Sequence, residues 1–548
     1  MRAIRIAVLP VTWLLALWSP LALMAAGSVT DKAPDAAAGE AIYRNGVLPT
    51  GQPLRATREG GATASGREVA CVNCHKRSGL GAIEGSSKIP PVAASYLFHP
   101  RAGTVEDLDL PVVEGMKADR DPYDEATLAR AINQGLAQDG KPLSYLMPHF
   151  DLDDAAMADL IAYLHKLSPG RMPGTTEELL NFATITTPDA DAKSKQGVLN
   201  VLQQFFADKN HFTRLQSSKL RSSHRMHFKV NRHWALHVWE LTGPADTWQK
   251  QLDAKLAAQP VLAVISGVGG STWRPVHDFC EAQELPCLFP VVDLPAQDAR
   301  DFDSLYFSRG VLLEADLIAH DLEAHAPKAP GRVVQIFRSG DVGPEVARAL
   351  SHRLEGRLTV IERQLPAGGG EQSLRRELGR LHPDDVPVLW LRRADVAALG
   401  AVPSGLARAY LSGRMAGLEE APLAADWRAI AHLSYPFDLP DSRRVQVDYP
   451  RGWFRLRNIP VVSLQAQADA YLACTILSDT INHMVDAFVR DYLVERINDL
   501  LPHRILTGYY PRLSLATGQT FASKGGYLVH FAGPAGAKIV AEGPWQTP

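Results

Sequence analysis

The order of apolar and polar residues divides the chain into three regions. Residues 6–23 form one nearly unbroken apolar run, and Arg2 and Arg5 precede it. Between about residues 151 and 167, apolar residues recur every three or four positions, which predicts an amphipathic helix. From about residue 180 to residue 393, short apolar runs such as VLAVISGVGG and RVVQIFRSG alternate with helical patterns. This alternation predicts parallel β-sheets that are covered on both faces by helices.

The N-terminal apolar run is followed by three small residues at positions 25–27. A basic start, an apolar middle and a small-residue exit are typical of a secretory signal. We therefore assign residues 1–26 to a signal peptide cleaved near Ala25 or Ala26, and we expect a periplasmic protein. An uncleaved membrane anchor is the alternative, because the run approaches the length needed to span a bilayer. No later run is long and apolar enough to span, so we expect no stable membrane span after cleavage.

Composition narrows the class of protein further. The chain has 548 residues, of which 46% are hydrophobic and 21% charged, and its formal net charge is −3. The length allows roughly two or three domains with full cores. The charge balance gives no reason to expect a nucleic-acid partner, and five cysteines are too few for a disulfide scaffold.

The stretch REVACVNCHKRSGLG carries the most specific motif, with Cys71, Cys74 and His75 in five consecutive positions. A thioredoxin-like CxxC usually has no histidine behind it, and a structural zinc site needs a second ligand pair, which the sequence lacks. The C-x-x-C-H pattern is typical of covalent c-type haem attachment. We expect one covalent haem c, with thioethers to both cysteines and His75 beneath the iron.

Residues 36–169 resemble a class I c-type cytochrome domain. The matching segments are AGEAIYRNG, CVNCH, KIPP, ATLARAINQGL and YLMPHF. The resemblance implies a small all-α domain in which Pro90 or Pro91 helps to orient His75. It also implies a methionine in the last loop as the second axial ligand.

By position, that methionine is Met147, which immediately precedes the last predicted helix. Met116 and His149 are the alternatives, whereas Met157 is expected to face the core. A histidine and methionine pair saturates the iron and raises its potential. Such a haem transfers single electrons and offers no open site for substrate chemistry.

The second half resembles type 1 periplasmic substrate-binding proteins, the leucine/isoleucine/valine-binding kind that serves ABC transporters. The resemblance rests on element order and on segments such as VISGVGGSTWRPVHDFCEAQELPCLFP and SLQAQADAYLACTILSDTI. It implies a two-lobed α/β domain with a ligand in the cleft, which we place at residues 178–535. The Pro- and Gly-rich residues 170–177 are assigned to a linker, and residues 536–548 to a C-terminal tail.

Four residues are candidates for binding a small molecule in this cleft. Ser271 and Thr272 could hold a carboxylate through their hydroxyls and helix-terminal N–H groups, or they could cap the following helix. Asp293 and Arg338 could bind a different polar ligand, or they could pair with neighbouring charges. Glu314 comes too late to match the acid that grips an ammonium group in this family, so a leucine-like ligand is not favoured.

Three further cysteines lie outside the C-x-x-C-H motif, at positions 280, 287 and 474. Cys280 and Cys287 could form a disulfide in an oxidising compartment or remain buried thiols, and Cys474 is expected in the core. We find no His-rich or carboxylate cluster with metal-ligand spacing and no phosphate-binding loop.

We therefore expect a periplasmic electron carrier rather than an enzyme, with no catalytic residues of its own. Its expected partners are a periplasmic dehydrogenase or another cytochrome, together with an unknown small-molecule ligand. The alternative is an ABC-transporter-type substrate-binding or ligand-sensing protein in which the cytochrome is accessory. The sequence leaves open the ligand, the direction of electron flow and the oligomeric state.

Overall fold

A computed structural model describes residues 33–84, 87–98, 121–167, 172–176, 178–219, 232–325, 331–484, 487–516 and 518–548. The expected signal peptide and the alternative ligand Met116 both lie outside these described residues.

The N-terminal domain combines short helices with small antiparallel sheets. Its described helices are α1 (Ala36–Asn45), α2 (Val72–His75), α3 (Ala94–Leu97), α4 (Glu125–Gln134) and α5 (Asp154–Lys166). Its strands are β1 (Arg55–Thr57), β2 (Thr63–Ser65), β3 (Ala82–Glu84), β4 (Ser87–Ile89) and β5 (His149–Phe150). The strands form a sheet of order β2-β1-β5 and a β3-β4 pair.

The expectation of an all-α domain is therefore corrected. The strands are two or three residues long, which is too short to leave an alternating apolar pattern in the sequence. Gly60 and Gly61 make the turn between β1 and β2 possible, since both adopt positive φ (94° and 83°).

The predicted amphipathic helix is α5, and it packs against α1. Gly39 lies at the crossing, where a Cβ would come within 2.0 Å of the Asp159 carbonyl oxygen. The Tyr43 ring of α1 and the Tyr163 ring of α5 also pack together, with centroids 5.3 Å apart. The Asp153 side chain accepts the Ala156 N–H and so caps the start of α5. The two helices thus form the framework of the domain.

The second part of the chain begins with a five-stranded parallel sheet, which we name the first sheet. Its order is β10-β9-β8-β6-β7, and every pairing in it is parallel. The strands are β6 (Leu179–Thr186), β7 (His233–Glu240), β8 (Ala263–Ile265), β9 (Cys287–Leu288) and β10 (Ser304–Leu305). The intervening helices are α6 (Ala192–Lys219), α7 (Trp248–Ala258) and α8 (Arg274–Ala282).

A seven-stranded second sheet has the order β12-β11-β13-β14-β15-β16-β17, with five parallel strands and an antiparallel pair at one edge. Its strands are β11 (Val333–Arg338), β12 (Val360–Leu365), β13 (Val386–Trp390), β14 (Ala409–Ser412), β15 (Ala431–Tyr435), β16 (Tyr527–Ala532) and β17 (Lys538–Ala541). The helices of this region are α9 (Val311–Ala324), α10 (Gly343–Leu354), α11 (Glu371–Leu378), α12 (Arg393–Ala397), α13 (Gly413–Ala416), α14 (Ala425–Arg428), α15 (Pro440–Leu456), α16 (Leu464–Met484) and α17 (Arg490–Leu500). The predicted α/β class with parallel sheets is confirmed.

The structure corrects the expected C-terminal boundary. The segment 536–548 is no separate tail, because its residues Lys538–Ala541 form β17 and pair with β16 in antiparallel register. The sequence KIVA alternates exposed and half-buried positions along this strand, which fits an edge strand with one face on the protein.

The two parts of the chain share apolar packing. Leu80 and Ala93 of the N-terminal domain are buried in the same apolar cluster as the strands of the α/β region. Across the described ranges, none of the helices combines the length and apolar character that a bilayer crossing requires.

The α1–α5 crossing generates a stability prediction. We expect Gly39→Ala to lower the free energy of unfolding by about 1–3 kcal/mol, because the added Cβ must push the two helices apart. Gly452→Ala in α15 is the matched control, since nothing lies within 4 Å of its Cβ position, and alanine should stabilise that helix by up to about 1 kcal/mol. Urea unfolding of the haem-loaded chain measures both, and equal effects would contradict the close crossing.

Candidate functional site

The cysteines and histidine of the C-x-x-C-H motif lie together on one short helix. Cys71 is the N-cap of α2, and Cys74 and His75 are its last two residues, so the sulfurs are one helical turn apart. Burial raises the pKa of the Cys71 thiol to about 12, whereas Cys74 is exposed. A protonated thiol at Cys71 does not suit thiol–disulfide exchange, because the thiolate is the form that attacks a disulfide.

His75 is buried, and its ring orientation is fixed by one hydrogen bond. Its Nδ1 lies 3.0 Å from the Pro90 carbonyl oxygen. A carbonyl can only accept, so Nδ1 carries the proton and Nε2 keeps its lone pair. Burial lowers the pKa of His75, which favours the neutral imidazole that a metal needs. Of the two prolines suggested by the resemblance, the structure gives Pro90 the contact with His75.

Gly81 allows the close approach that this hydrogen bond requires. Its φ is 75°, and a Cβ there would lie 2.1 Å from the Ile89 carbonyl oxygen. The loop after His75 therefore turns back tightly against the segment that carries Pro90.

The candidates for the second iron ligand occupy different environments. Met147 is half-buried and packs against the same core that contacts Cys71 and Val72. Met157 is buried in α5, as expected for a core residue. His149 is exposed on β5, and its ring covers the backbone at Gly135, where a Cβ would lie 2.4 Å from its Nε2.

The α/β region binds the loop that follows His75 through a buried carboxylate. Glu495 on α17 accepts hydrogen bonds from the Arg77 N–H at 2.7 Å, the Ser78 N–H at 3.0 Å and the Ser78 hydroxyl at 2.6 Å. Burial raises the pKa of Glu495 to about 8, although these three donors oppose the shift. Inside the N-terminal domain, Tyr43 donates its hydroxyl to the Lys76 carbonyl at 2.7 Å. The loop after His75 is thus held from both sides.

An ion-pair cluster surrounds this contact. Arg44 and Arg77 both donate to Glu284, at 2.8 Å and 2.9 Å, and both lie within 4 Å of the Asp491 carboxylate. The Arg77 guanidinium also lies over the Phe302 ring, 4.3 Å from its centroid. Glu284 and Phe302 both belong to loops of the first sheet, so the N-terminal domain docks on that half of the α/β region.

Ser271 is engaged by a carboxylate of the protein itself. Asp189 accepts both the Ser271 N–H at 2.8 Å and its hydroxyl at 2.6 Å, and it also accepts the Thr187 hydroxyl at 2.6 Å. Burial opposes ionisation, but these donors lower the pKa of Asp189. The Thr272 hydroxyl accepts the Arg274 N–H at the start of α8. In the structure, Ser271 therefore binds a carboxylate of the protein itself, and Thr272 lies at the start of a helix.

Asp293 and Arg338 are each paired with charges nearby. Arg392 bridges Asp293, at 2.5 Å, and Asp341, while Arg414 adds a second contact to Asp293 at 3.3 Å. Burial raises the pKa of Asp293, but the charges of Arg392 and Arg414 prevail and lower it to about 2.

Arg338 belongs to a separate network. It forms a two-pronged pair with Asp395, at 2.8 Å and 2.6 Å, and donates to two carbonyl oxygens. It shares no hydrogen-bond partner with Asp293 among the contacts of the described residues.

Two buried acids lie close to Arg414: Glu314, which the sequence analysis set aside, and Asp469, which it did not single out. Glu314 is fully buried in α9 and accepts the Ser412 hydroxyl and the Arg414 N–H, and burial raises its pKa to about 7. Asp469 in α16 accepts the Tyr510 hydroxyl at 3.3 Å, and burial raises its pKa to about 7 as well. The available signal was an acid inside an otherwise apolar helix, as in VLLEADLIAH.

The three remaining cysteines are buried thiols. Cys280 and Cys287 form no disulfide and share a hydrogen bond, and burial together with this bond raises the pKa of Cys280 well above its usual value. Cys474 lies in the core, as expected.

Comparison with known proteins identifies the two parts of the chain. Residues 61–168 match the family model for cytochrome c. A possible leucine/isoleucine/valine-binding protein from Rhodopirellula baltica SH 1 aligns at a TM-score of 0.50 and 14% identity, covering 67% of this chain and 97% of that one. The chain thus contains a domain that matches cytochrome c, followed by a region that shares the α/β fold of the Rhodopirellula protein.

Two further structures show weaker similarity. A substrate-binding periplasmic protein from Ralstonia solanacearum covers 66% of this chain and 100% of its own, with a TM-score of 0.49 and 11% identity. A branched-chain amino acid ABC transporter protein from Thermus thermophilus with bound valine covers 68% and 98%, with a TM-score of 0.47 and 10% identity. No curated protein matches the chain significantly.

The Asp293 network generates a prediction about stability and pH. A carboxyl whose pKa is lowered on folding stabilises the protein above its unfolded pKa, and this contribution is lost as the pH falls through the folded pKa. For Asp293 the window runs from about pH 4 down to about pH 2. We expect Asp293→Asn to lower the free energy of unfolding by about 2 kcal/mol at pH 7, and the deficit should shrink below pH 4.

Urea unfolding of both chains between pH 7 and pH 3 measures this difference. Glu345→Gln is the control, because its exposed pair with Arg348 should contribute less than about 1 kcal/mol. A deficit that stays constant across this pH range would show that the charge of Asp293 is not responsible.

Proposed function

We propose that the protein is a periplasmic electron-transfer protein with one covalent haem c. Cys71 and Cys74 would form the thioethers, and His75 and Met147 would be the axial ligands. The observation that carries this proposal is the state of His75, which directly follows the second cysteine. His75 is buried, its lowered pKa favours the neutral form, and its Nδ1 proton is donated to the Pro90 carbonyl. The match of residues 61–168 to cytochrome c supports it.

The residues of the chain have separate tasks at this site. Pro90 fixes the His75 tautomer in which Nε2 keeps its lone pair, so Nε2 could bind the iron and the Met147 thioether would complete the pair. With His75 and Met147 as its ligands, a bound haem would supply one-electron redox chemistry at a raised potential. The domain would therefore exchange single electrons with a partner, such as a periplasmic dehydrogenase or another cytochrome, and would not carry out substrate chemistry at the iron.

For the α/β region we propose two lobes, one on each sheet, with a cleft between them. The alternative function, small-molecule binding for transport or sensing with the cytochrome as accessory, would use this cleft. The carboxylate of an amino acid is not expected to bind at Ser271, because the N–H and hydroxyl of Ser271 already donate to Asp189. We therefore favour electron transfer, with the α/β region as the platform on which the cytochrome domain is docked.

We also retain the proposed organisation of the chain. Residues 1–26 would be removed on export, residues 36–169 would form the cytochrome domain, and residues 170–177 would connect it to the α/β region. Gly174 within this connection packs closely on the first sheet, where a Cβ would lie 2.3 Å from the Val261 carbonyl carbon. This packing supports a fixed connection rather than a free tether.

The first test of the proposal concerns Met147. In the haem-loaded full chain, Met147→Ala should abolish the sulfur-to-iron charge-transfer band and lower the midpoint potential, because a thioether stabilises ferrous iron. Absorption spectroscopy and potentiometric titration measure the two effects. Met157→Leu is the control, since this buried methionine should be replaceable without loss of the band. A band that survives Met147→Ala would assign the ligand to another residue.

The second test concerns the docking of the two domains. Glu495→Ala removes the acceptor for three donors of the loop after His75, so the loop should relax and the haem midpoint potential should shift by tens of millivolts. A shift of about 59 mV corresponds to a tenfold change in the relative stability of the two redox states. Asp499→Asn changes an exposed acid on the same helix and should leave the potential unchanged. Identical potentials in wild type and Glu495→Ala would show that the docking contact does not act on the haem site.

A further inference from the structure

A cluster of metal-ligating side chains lies on the first sheet, apart from both the haem motif and the Asp293 network. It consists of His277 and Glu281 on α8 and Asp301 in the loop before β10. One ligand atom from each residue lies within 4.8 Å of the other two. His277 and Glu281 are four residues apart on a helix, which places them on the same face.

His277 supplies an observation that is independent of the acids. Its side chain is 1% exposed, and its Nε2 has no hydrogen-bond partner in the part of the chain that the structure describes. The Nε2 lies 3.3 Å from Asp301 Oδ2, without hydrogen-bond geometry. A buried ring nitrogen without a hydrogen-bond partner has lost its bond to water and gained no hydrogen bond in return, which is costly unless another group binds it.

The other ring nitrogen is oriented as metal-binding histidines require. Nδ1 lies 2.9 Å from the hydroxyl of Tyr306, which is itself buried. A histidine that ligates a metal through one nitrogen usually engages a polar group through the other. The Nε2 is thereby aimed toward the carboxylates.

The charges of the cluster also favour a cation. Glu281 accepts the N–H groups of Phe302, Asp303 and Ser304, which stabilise its charge but leave lone pairs free. The Asp301 side chain is only 5% exposed, and its pKa is raised, mainly by burial. Among the ion pairs of the described residues, neither Glu281 nor Asp301 has an arginine or lysine partner, and Arg274 on the same helix is paired with Asp278 and Asp298. Two carboxylates, of which the Asp301 side chain is buried, therefore face the imidazole.

We infer that His277, Glu281 and Asp301 form a binding site for a divalent transition-metal ion of the Zn²⁺ type. One imidazole nitrogen, two carboxylate oxygens and a water would complete a four-coordinate zinc site. In a tetrahedral site with bonds of about 2.1 Å, neighbouring ligand atoms are about 3.4 Å apart. The 3.3 Å between Nε2 and Asp301 Oδ2 matches this separation. Calcium prefers six to eight oxygen ligands and is disfavoured by the imidazole.

The site would stabilise the loop that meets the cytochrome domain. Asp301 directly precedes Phe302, whose ring lies beneath Arg77, two residues after the haem motif. An ion that joins this loop to α8 would hold Phe302 in place. The role is structural, and it does not require the haem assignment to be correct.

The test uses the full, haem-loaded chain and zinc chloride alone. After dialysis against EDTA and removal of the chelator, the chain is equilibrated with zinc, and bound metal is measured by mass spectrometry relative to protein. We expect one zinc per wild-type chain, a higher melting temperature with zinc, and no displacement by excess calcium. His277→Gln and Asp301→Asn should each weaken zinc binding at least tenfold.

Two variants and a control keep the result interpretable. Asp301→Asn preserves the shape of the side chain, so it remains informative if His277→Gln disturbs Tyr306, and circular dichroism checks that both fold. His352→Ala removes an exposed histidine elsewhere and should bind zinc as the wild type does. A wild type that binds no zinc would overturn the site. Variants that bind as much zinc as the wild type would also overturn it, and would move the zinc to other groups such as the buried thiols of Cys280 and Cys287.

Discussion

The buried carboxyl group of Glu495 is the contact on which the arrangement of the two domains depends. A polar group taken out of water loses its hydration, and this is costly unless hydrogen bonds within the protein replace it. Here three donors from Arg77 and Ser78 meet it, and two of them are backbone N–H groups that no side-chain substitution removes. Because these groups must lie within hydrogen-bond distance of one acceptor, the contact restricts the conformation of the loop after His75. The surrounding pairs of Arg44 and Arg77 with Glu284 are partly exposed and contribute less.

The cytochrome motif and the α/β class were predictable because both rest on local signals. The C-x-x-C-H spacing defines a chemistry within five residues, and the alternation of strands and helices defines layers without any knowledge of their contacts. The short strands β1 to β5 left no such signal, since two or three residues cannot display a period. The terminal strand β17 was missed because a single edge strand of four residues resembles a tail until its partner, β16, is known.

The candidate sites divide in the same way. Cys71, Cys74 and His75 could be found from spacing, whereas Glu495 comes from a helix more than 400 residues away and has no local pattern. Ser271 was expected to hold the carboxylate of a ligand or to cap a helix, whereas in the structure both of its donors bind Asp189, which only tertiary structure brings to it. His277 and Glu281 show helical ligand spacing in the sequence, yet one such pair is common by chance. The third residue of the cluster, Asp301, comes from a loop, and only the tertiary structure brings it close to the pair.

The position of the docking surface limits how the two halves can influence each other. Glu284 and Phe302 follow elements of the first sheet, and α17 is fixed to the same sheet by Arg490, which donates to the Val261 carbonyl at 2.8 Å. Any movement of the second sheet relative to the first would therefore leave the cytochrome domain attached to the first sheet, with the loop after His75 unchanged. Arg392 follows β13 and Asp341 follows β11, both in the second sheet, so the contact that would separate in such a movement is the one from Arg392 to Asp293. The loop containing Asp301 and Phe302 contacts Arg77, so a change in the first sheet would act on the loop after His75 through this contact.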